Sequence, residues 1–149
     1  MTQHFVMATD APRNVLAWRV LGPIYIRDIP AIVESVQAGV GSLKQPVKLL
    51  VDNRSMLMNG RPIIFTPDVN AEWIKLQEWL LPRTSHVAVL CNGSVMKLQM
   101  DRLAKTSGLA AVLRSFWDPD PMVSRDEAYA FLKINRNPLV DRISKTASA

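Results

Sequence analysis

The chain has 149 residues, 48% of them hydrophobic and 21% charged, and lysine plus arginine outnumber aspartate plus glutamate by 18 to 13. This size and balance exclude a disordered chain and fit one domain able to bury a core without disulfides or metal. The single cysteine, Cys91, excludes an internal disulfide and a multi-cysteine metal site.

One cysteine also suits a reducing compartment, so a cytoplasmic location is expected. The opening residues lack a basic segment followed by a long apolar run, and no stretch approaches the roughly 18 apolar residues of a membrane span. The most apolar region, Val15 to Ile29, is broken by Arg19, Pro23 and Arg27. We therefore expect no membrane insertion. The positive excess reads as scattered. Its late members (Lys133, Arg136, Arg142 and Lys145) read as a solvated tail, and no nucleic-acid partner is expected.

In chain order, Phe5–Ala8 and Val15–Leu21 are apolar runs on either side of a turn, Asp10-Ala11-Pro12-Arg13-Asn14, and predict an antiparallel hairpin. Pro30 suits the first turn of a helix whose apolar stripe is Ile29, Ile32, Val33, Val36 and Val40, ended by Gly39 and Gly41. Val47–Val51 reads as a buried strand closed by Asp52. Thr66-Pro67-Asp68 opens a helix with Val69, Trp73, Leu76 and Leu80 inward, and Pro82 stops it. His86–Cys91 is the next strand. Ser94 is the expected cap of a helix with Met96, Met100, Leu103 and Ala104 inward and Gly108 as its left-handed terminator. Ala111–Phe116 predicts a last strand. Ser124-Arg125-Asp126-Glu127 reads as a capping box for a helix burying Ala128, Phe131 and Leu132.

Strands alternating with helices require crossovers. The expected fold is α/β, with a mostly parallel five-stranded sheet, an antiparallel edge hairpin and four helices. Residues 1–135 form this domain and 136–149 a flexible C-terminal tail.

Several stretches then resemble the SpoIIAA-like family of the STAS superfamily. They are Leu-Leu-Val-Asp (49–52), Thr-Pro-Asp (66–68), His-Val-Ala-Val-Leu (86–90), Leu-Gln-Met-Asp-Arg-Leu-Ala (98–104), Phe-Trp-Asp (116–118) and Asp-Glu-Ala-Tyr-Ala-Phe-Leu (126–132). The resemblance covers roughly residues 4 to 133. It implies a non-enzymatic regulatory module related to anti-sigma-factor antagonists, in which a phosphorylated serine at a helix start switches a protein partner. It also implies a likeness to the lipid-carrying Sec14 fold and hence a small apolar ligand. This chain differs by carrying thirteen residues, Asn53 to Phe65, before a helix that starts at Thr66, and Ser55 lies too early to cap it. Thr66 reads as a cap rather than a phosphorylation site.

The reactive residue types give no catalytic pair. Cys91 and His86 are five apart on one strand, which sends them to opposite faces. Ser94 lacks the flanking glycines of a nucleophile elbow. Gly39-Val40-Gly41 follows a helix and has no third glycine, unlike a dinucleotide fingerprint. Asp52, Asp118 and Asp120 read as turn and cap formers before cation ligands. No enzyme activity, cofactor or metal is expected.

Two candidate regions are left. One is the carboxyl edge of the parallel strands, with Asp52, Asn53, Asn92 and Asp118 near helix starts at Thr66, Ser94 and Ser124; ligands of open α/β sheets sit at this edge. The other is the loop Asn53 to Phe65, too apolar for a solvated linker, with Met56, Leu57, Met58, Ile63, Ile64 and Phe65 around an Asn59-Gly60 turn. It reads either as a cap on the core or as a subunit contact or a lid over an apolar pocket. The expected partners are a protein, first of all a second copy in a homodimer, or a small apolar ligand.

Overall fold

The computed structural model describes residues 4–141. Its main sheet has five strands: β1 (Phe5–Asp10), β2 (Val15–Val20), β3 (Val47–Asp52), β6 (Thr84–Leu90) and β7 (Leu113–Phe116). They lie in the order β1-β2-β3-β6-β7, with β1 antiparallel to β2 and every other neighbour pair parallel. A separate small hairpin, β4 (Leu57–Met58) and β5 (Arg61–Pro62), lies in the long loop after β3. The α-helices are α1 (Ile29–Gly41), α2 (Pro67–Leu80), α3 (Ser94–Ser107) and α4 (Pro121–Leu132).

The strand sequences explain the layering. Along β2, Leu16, Trp18 and Val20 point to one face, and Val15 and Ala17 to the other. The crossovers through α1, α2 and α3 all step in one direction along the sheet, so these helices share a face. Ile32, Val36, Val69, Leu76, Met96 and Met100 meet Leu49, Val51, Val87 and Val89 there in one core. The opposite face carries Leu50, Ala88 and Leu90, covered by Ala128, Tyr129 and Leu132 of α4 together with Val140. Both faces of the central strands are buried, which is why β3 and β6 read as continuous apolar runs.

The packed chain extends past the expected limit at residue 135. Asn137 and Val140 are buried. The Asn137 side chain accepts from the amides of Leu139 and Val140 at 3.1 and 3.2 Å, capping a helical turn at 138–141. The Tyr129 hydroxyl donates to Asp141 at 2.5 Å and ties this turn to α4. Asn-Pro at 137–138 is the sequence signal for this turn, a cap followed by proline at the first helical position. The rest of the expected tail, 142–149, lies outside the described residues.

Three boundaries differ from expectation for local reasons. Helix α4 starts at Pro121, not Ser124: Asp120 is its cap and accepts from the Met122 amide at 2.9 Å. Proline fits the first helical position, where its missing N–H costs nothing. Ser124 is then inside the helix, its hydroxyl donating back to the Pro121 carbonyl at 3.2 Å. Helix α3 is capped in position by Gly93, so Ser94 is its first helical residue and makes no side-chain cap. Strand β7 begins at Leu113 because Leu109–Ala111 form a 3-10 turn after Gly108, whose φ of 89° ends α3 as expected.

The charge is also not scattered. Because each helix runs back against its strand, helix C-termini gather at the amino edge of the sheet, and most of the excess cations among the described residues lie there.

Candidate functional site at the carboxyl edge

The polar residues expected at the carboxyl edge are engaged in holding it together. Asp52 ends β3 and is buried. Arg54 grips it at both oxygens, Nε to Oδ1 at 2.9 Å and Nη2 to Oδ2 at 3.0 Å. The third arm of the guanidinium donates to the Pro121 carbonyl at 2.8 Å, bolting the end of β3 to the start of α4. Arg54 is the residue sequence reading missed. Its one signal is position, two residues after an acid at a strand end, where the chain turns and a guanidinium can fold back bidentately.

The Asn92 side-chain amide donates to the Met56 carbonyl at 2.9 Å and so fixes the long loop to the end of β6. Asp118 accepts from the Asp120 amide at 2.9 Å in the turn before α4. Thr66 stands at the cap position of α2, but its hydroxyl donates to the Asp68 carboxylate rather than accepting from a helix amide. That bond holds the Asp68 carboxyl below its ordinary range. Ser94 is exposed. Among the described residues, no group of three or more histidine, cysteine or acidic side chains is placed to hold a metal ion.

Asn92 Oδ1 is buried without a hydrogen-bond partner among the described residues, and the same holds for Asn53 Oδ1. Asn53 is 4% exposed, and its side-chain nitrogen contacts the Met100 sulfur at 3.8 Å. Asn53 lines a cavity of about 70 Å³ between the sheet and helices α2 and α3. The walls are apolar, with Trp18, Leu49, Val89, Phe65, Trp73 and Met100 among them. The Trp73 Nε1 is also buried and unpartnered among the described residues, and the Phe65 ring meets the Trp73 ring edge-on at 5.5 Å. Trp73 was expected to be a core residue on α2; the cavity beside it was not legible.

The loop Asn53 to Phe65 divides in two. Asn59 and Gly60, at φ values of 54° and 76°, form the tight turn expected of Asn-Gly, and β4 and β5 flank it. Met56 is fully buried, and Ile63 and Phe65 pack against the core. Leu57, Met58 and Ile64 face outward, Ile64 being 62% exposed.

These three are part of a larger set. The exposed large hydrophobic side chains among the described residues are Tyr25 and Ile26 after β2, these three after β3, Val95 and Leu98 after β6, and Trp117 and Val123 after β7. Every one lies between the end of a parallel strand and the second turn of the following helix. The topology brings them all to the carboxyl edge.

The two residues with catalytic potential lie apart. Cys91 packs in the core beneath the helices α1 to α3, where burial, then the Asp101 carboxylate, pushes its thiol up to about 12. His86 lies on the other face against the Phe131 ring at 5.2 Å. Its pKa is held below the ordinary value first by burial, then by Lys48 and Lys133. No helix among the described residues is long and apolar enough to cross a membrane. Compared with known proteins, the chain matches no family model and no curated protein.

Proposed function

We propose that the protein is a non-enzymatic regulatory or scaffolding module of the SpoIIAA-like type, acting by protein–protein contact through the carboxyl edge of its sheet, with a second copy as its first partner. The observation that carries this reading is the gathering of the exposed large hydrophobic side chains at that one edge. A fold gains nothing by keeping these side chains wet, whereas a contact surface does. The strand order and the α/β alternation support the family resemblance. The buried Asp52–Arg54 pair and the Asn92 bond to Met56 give the edge a rigid base, which lowers the ordering cost of association.

Light scattering across a concentration series tests it. The expected result is a dimer that dissociates when Leu57, Met58 and Ile64 are replaced together by serine. Exposed side chains contribute little to the fold of one protomer, so at concentrations low enough that both chains are monomeric the unfolding free energy should change by no more than about 0.5 kcal/mol per site. A chain that stays monomeric to millimolar concentration overturns the second copy as partner.

The cavity beside Asn53 favours a second reading, a carrier or sensor of a small apolar ligand. Native mass spectrometry of the freshly purified protein showing bound mass supports it.

A further inference from the structure

The second reading leaves the ligand's chemistry open, and the cavity narrows it. Its walls are almost wholly apolar, yet two polar atoms of opposite character are buried at residues that line it: an acceptor, Asn53 Oδ1, and a donor, Trp73 Nε1. Leaving either unpaired costs about 1–3 kcal/mol. A hydrocarbon occupant leaves both unpaired. A carboxylate or phosphate meets no cation among the lining residues and must shed its water into an apolar wall. A hydroxyl or a primary amide can answer either atom, because each has a donor and an acceptor.

Size sets a second limit. A volume of about 70 Å³ exceeds two waters at about 30 Å³ each and is half of the roughly 150 Å³ that accepts benzene. It takes a head of a few heavy atoms. Phe65, Trp73, Gln77 and Leu103 are partly exposed while the deeper lining is buried. Together they form a mouth between α2, α3 and the long loop, through which an apolar remainder would leave.

We propose that this cavity binds the neutral polar head of a small amphiphile, an alcohol or a primary amide, through Asn53 and Trp73. The inference rests on the ligand-carrying reading and can fail while that reading stands.

The test is protein NMR with butyramide, 1-butanol, butyrate and xenon, following the Trp73 indole N–H resonance. Butyramide and 1-butanol should shift it saturably, with butyrate at least about tenfold weaker. Asn53→Leu, followed at the same indole, and Trp73→Phe, followed at the Leu103 methyl resonances at the mouth, should each weaken butyramide about tenfold while still binding xenon, which shows that the fold and the cavity survive. Xenon binding without butyramide or 1-butanol binding overturns the proposed head group and leaves an apolar-ligand site. Butyrate binding as well as butyramide overturns the neutrality requirement. If none of the four probes binds, both the inference and the carrier reading fall.

Discussion

At the amino edge of the sheet, the segments 10–14, 42–48, 81–86, 108–114 and 133–136 carry Arg13, Lys44, Lys48, Arg83, Arg114, Lys133 and Arg136 against Asp10 alone. At the carboxyl edge, the segments 21–28, 52–68, 91–98 and 117–126 carry Arg27, Arg54, Arg61, Lys97 and Arg125 against Asp28, Asp52, Asp68, Asp118, Asp120 and Asp126. The exposed apolar side chains lie at the second edge. The fold accounts for much of the charge difference. Helix C-termini, with the negative end of the helix dipole, collect at the amino edge, and cations are favourable there. Arg83 shows the arrangement, donating to the Trp79 carbonyl at 2.7 Å while its guanidinium lies 4.2 Å from that ring's centre. Asp28, Asp68 and Asp120 stand at helix starts on the other edge, where an acid is favourable for the same reason. Helix polarity thus explains cations at one edge without an anionic partner. It gives no reason for wet leucine, methionine and isoleucine at the other.

The sharpest way to break this contrast is to attack what holds the carboxyl edge. Arg54→Met leaves Asp52 buried and uncompensated, and should cost about 3–5 kcal/mol in urea unfolding. The double variant Asp52→Asn with Arg54→Met should recover most of that loss, because the stranded charge is gone. A single-variant cost below about 1 kcal/mol would mean that the carboxyl edge does not depend on the pair.

A smaller effect, dependent on pH, follows from burial on both faces of the sheet. The unfolded Cys91 thiol ionises near 9 and the folded one near 12. Folding is therefore fully supported by this group below pH 9, and the support is lost as pH rises through 12. The loss reaches about 1 kcal/mol by pH 10. Tyr129 on the other face is also raised, by burial and by its bond to Asp141, and adds to the alkaline decline. Unfolding midpoints from pH 8 to 11 should fall for the native chain and less steeply for Cys91→Ala. The same burial should leave Cys91 unreactive toward thiol reagents at pH 8 until the protein unfolds.

What was legible in the sequence follows physical range. The alternation of strands and helices, the hairpin at Asn59-Gly60 and the terminator Gly108 are local, and the structure has them where the pattern put them. The inward stripe of α1 and the opposed faces of Cys91 and His86 follow from periodicity alone. The start of α4 was misread because two local signals compete there, and Asp120-Pro121 prevails over the Ser124 box. The engagement of Asp52 by Arg54, the split of the loop into Met56 inside and Ile64 outside, and the cavity between Asn53 and Trp73 depend on parts of the chain meeting in space. No local pattern records such meetings. The concentration of charge at one edge was invisible for the same reason, since its members are spread from Arg13 to Arg136.

The smallest effect tests whether the amino-edge cations act on one another or only on the helix ends. Lys133 ends α4 in the left-handed region at φ 59°, its amide bonded to the Ala130 and Tyr129 carbonyls. Lys133→Gln removes the charge and keeps the backbone cost, so it should lower stability by a few tenths of a kcal/mol, about 0.3. Lys133→Gly removes both, and relative to the glutamine variant should gain about 0.5–1 kcal/mol, since glycine adopts this conformation freely. Both changes should raise the His86 pKa toward its ordinary value, because Lys133 is one of the charges that oppose its protonation. A depressed histidine supports folding above about pH 6.5 and loses that support as pH falls. Both variants should therefore lose less stability than the native chain between pH 7 and 5. If histidine NMR shows His86 unmoved, solvent screens Lys133 from it, and the amino edge is a set of independent helix caps rather than a coupled basic field.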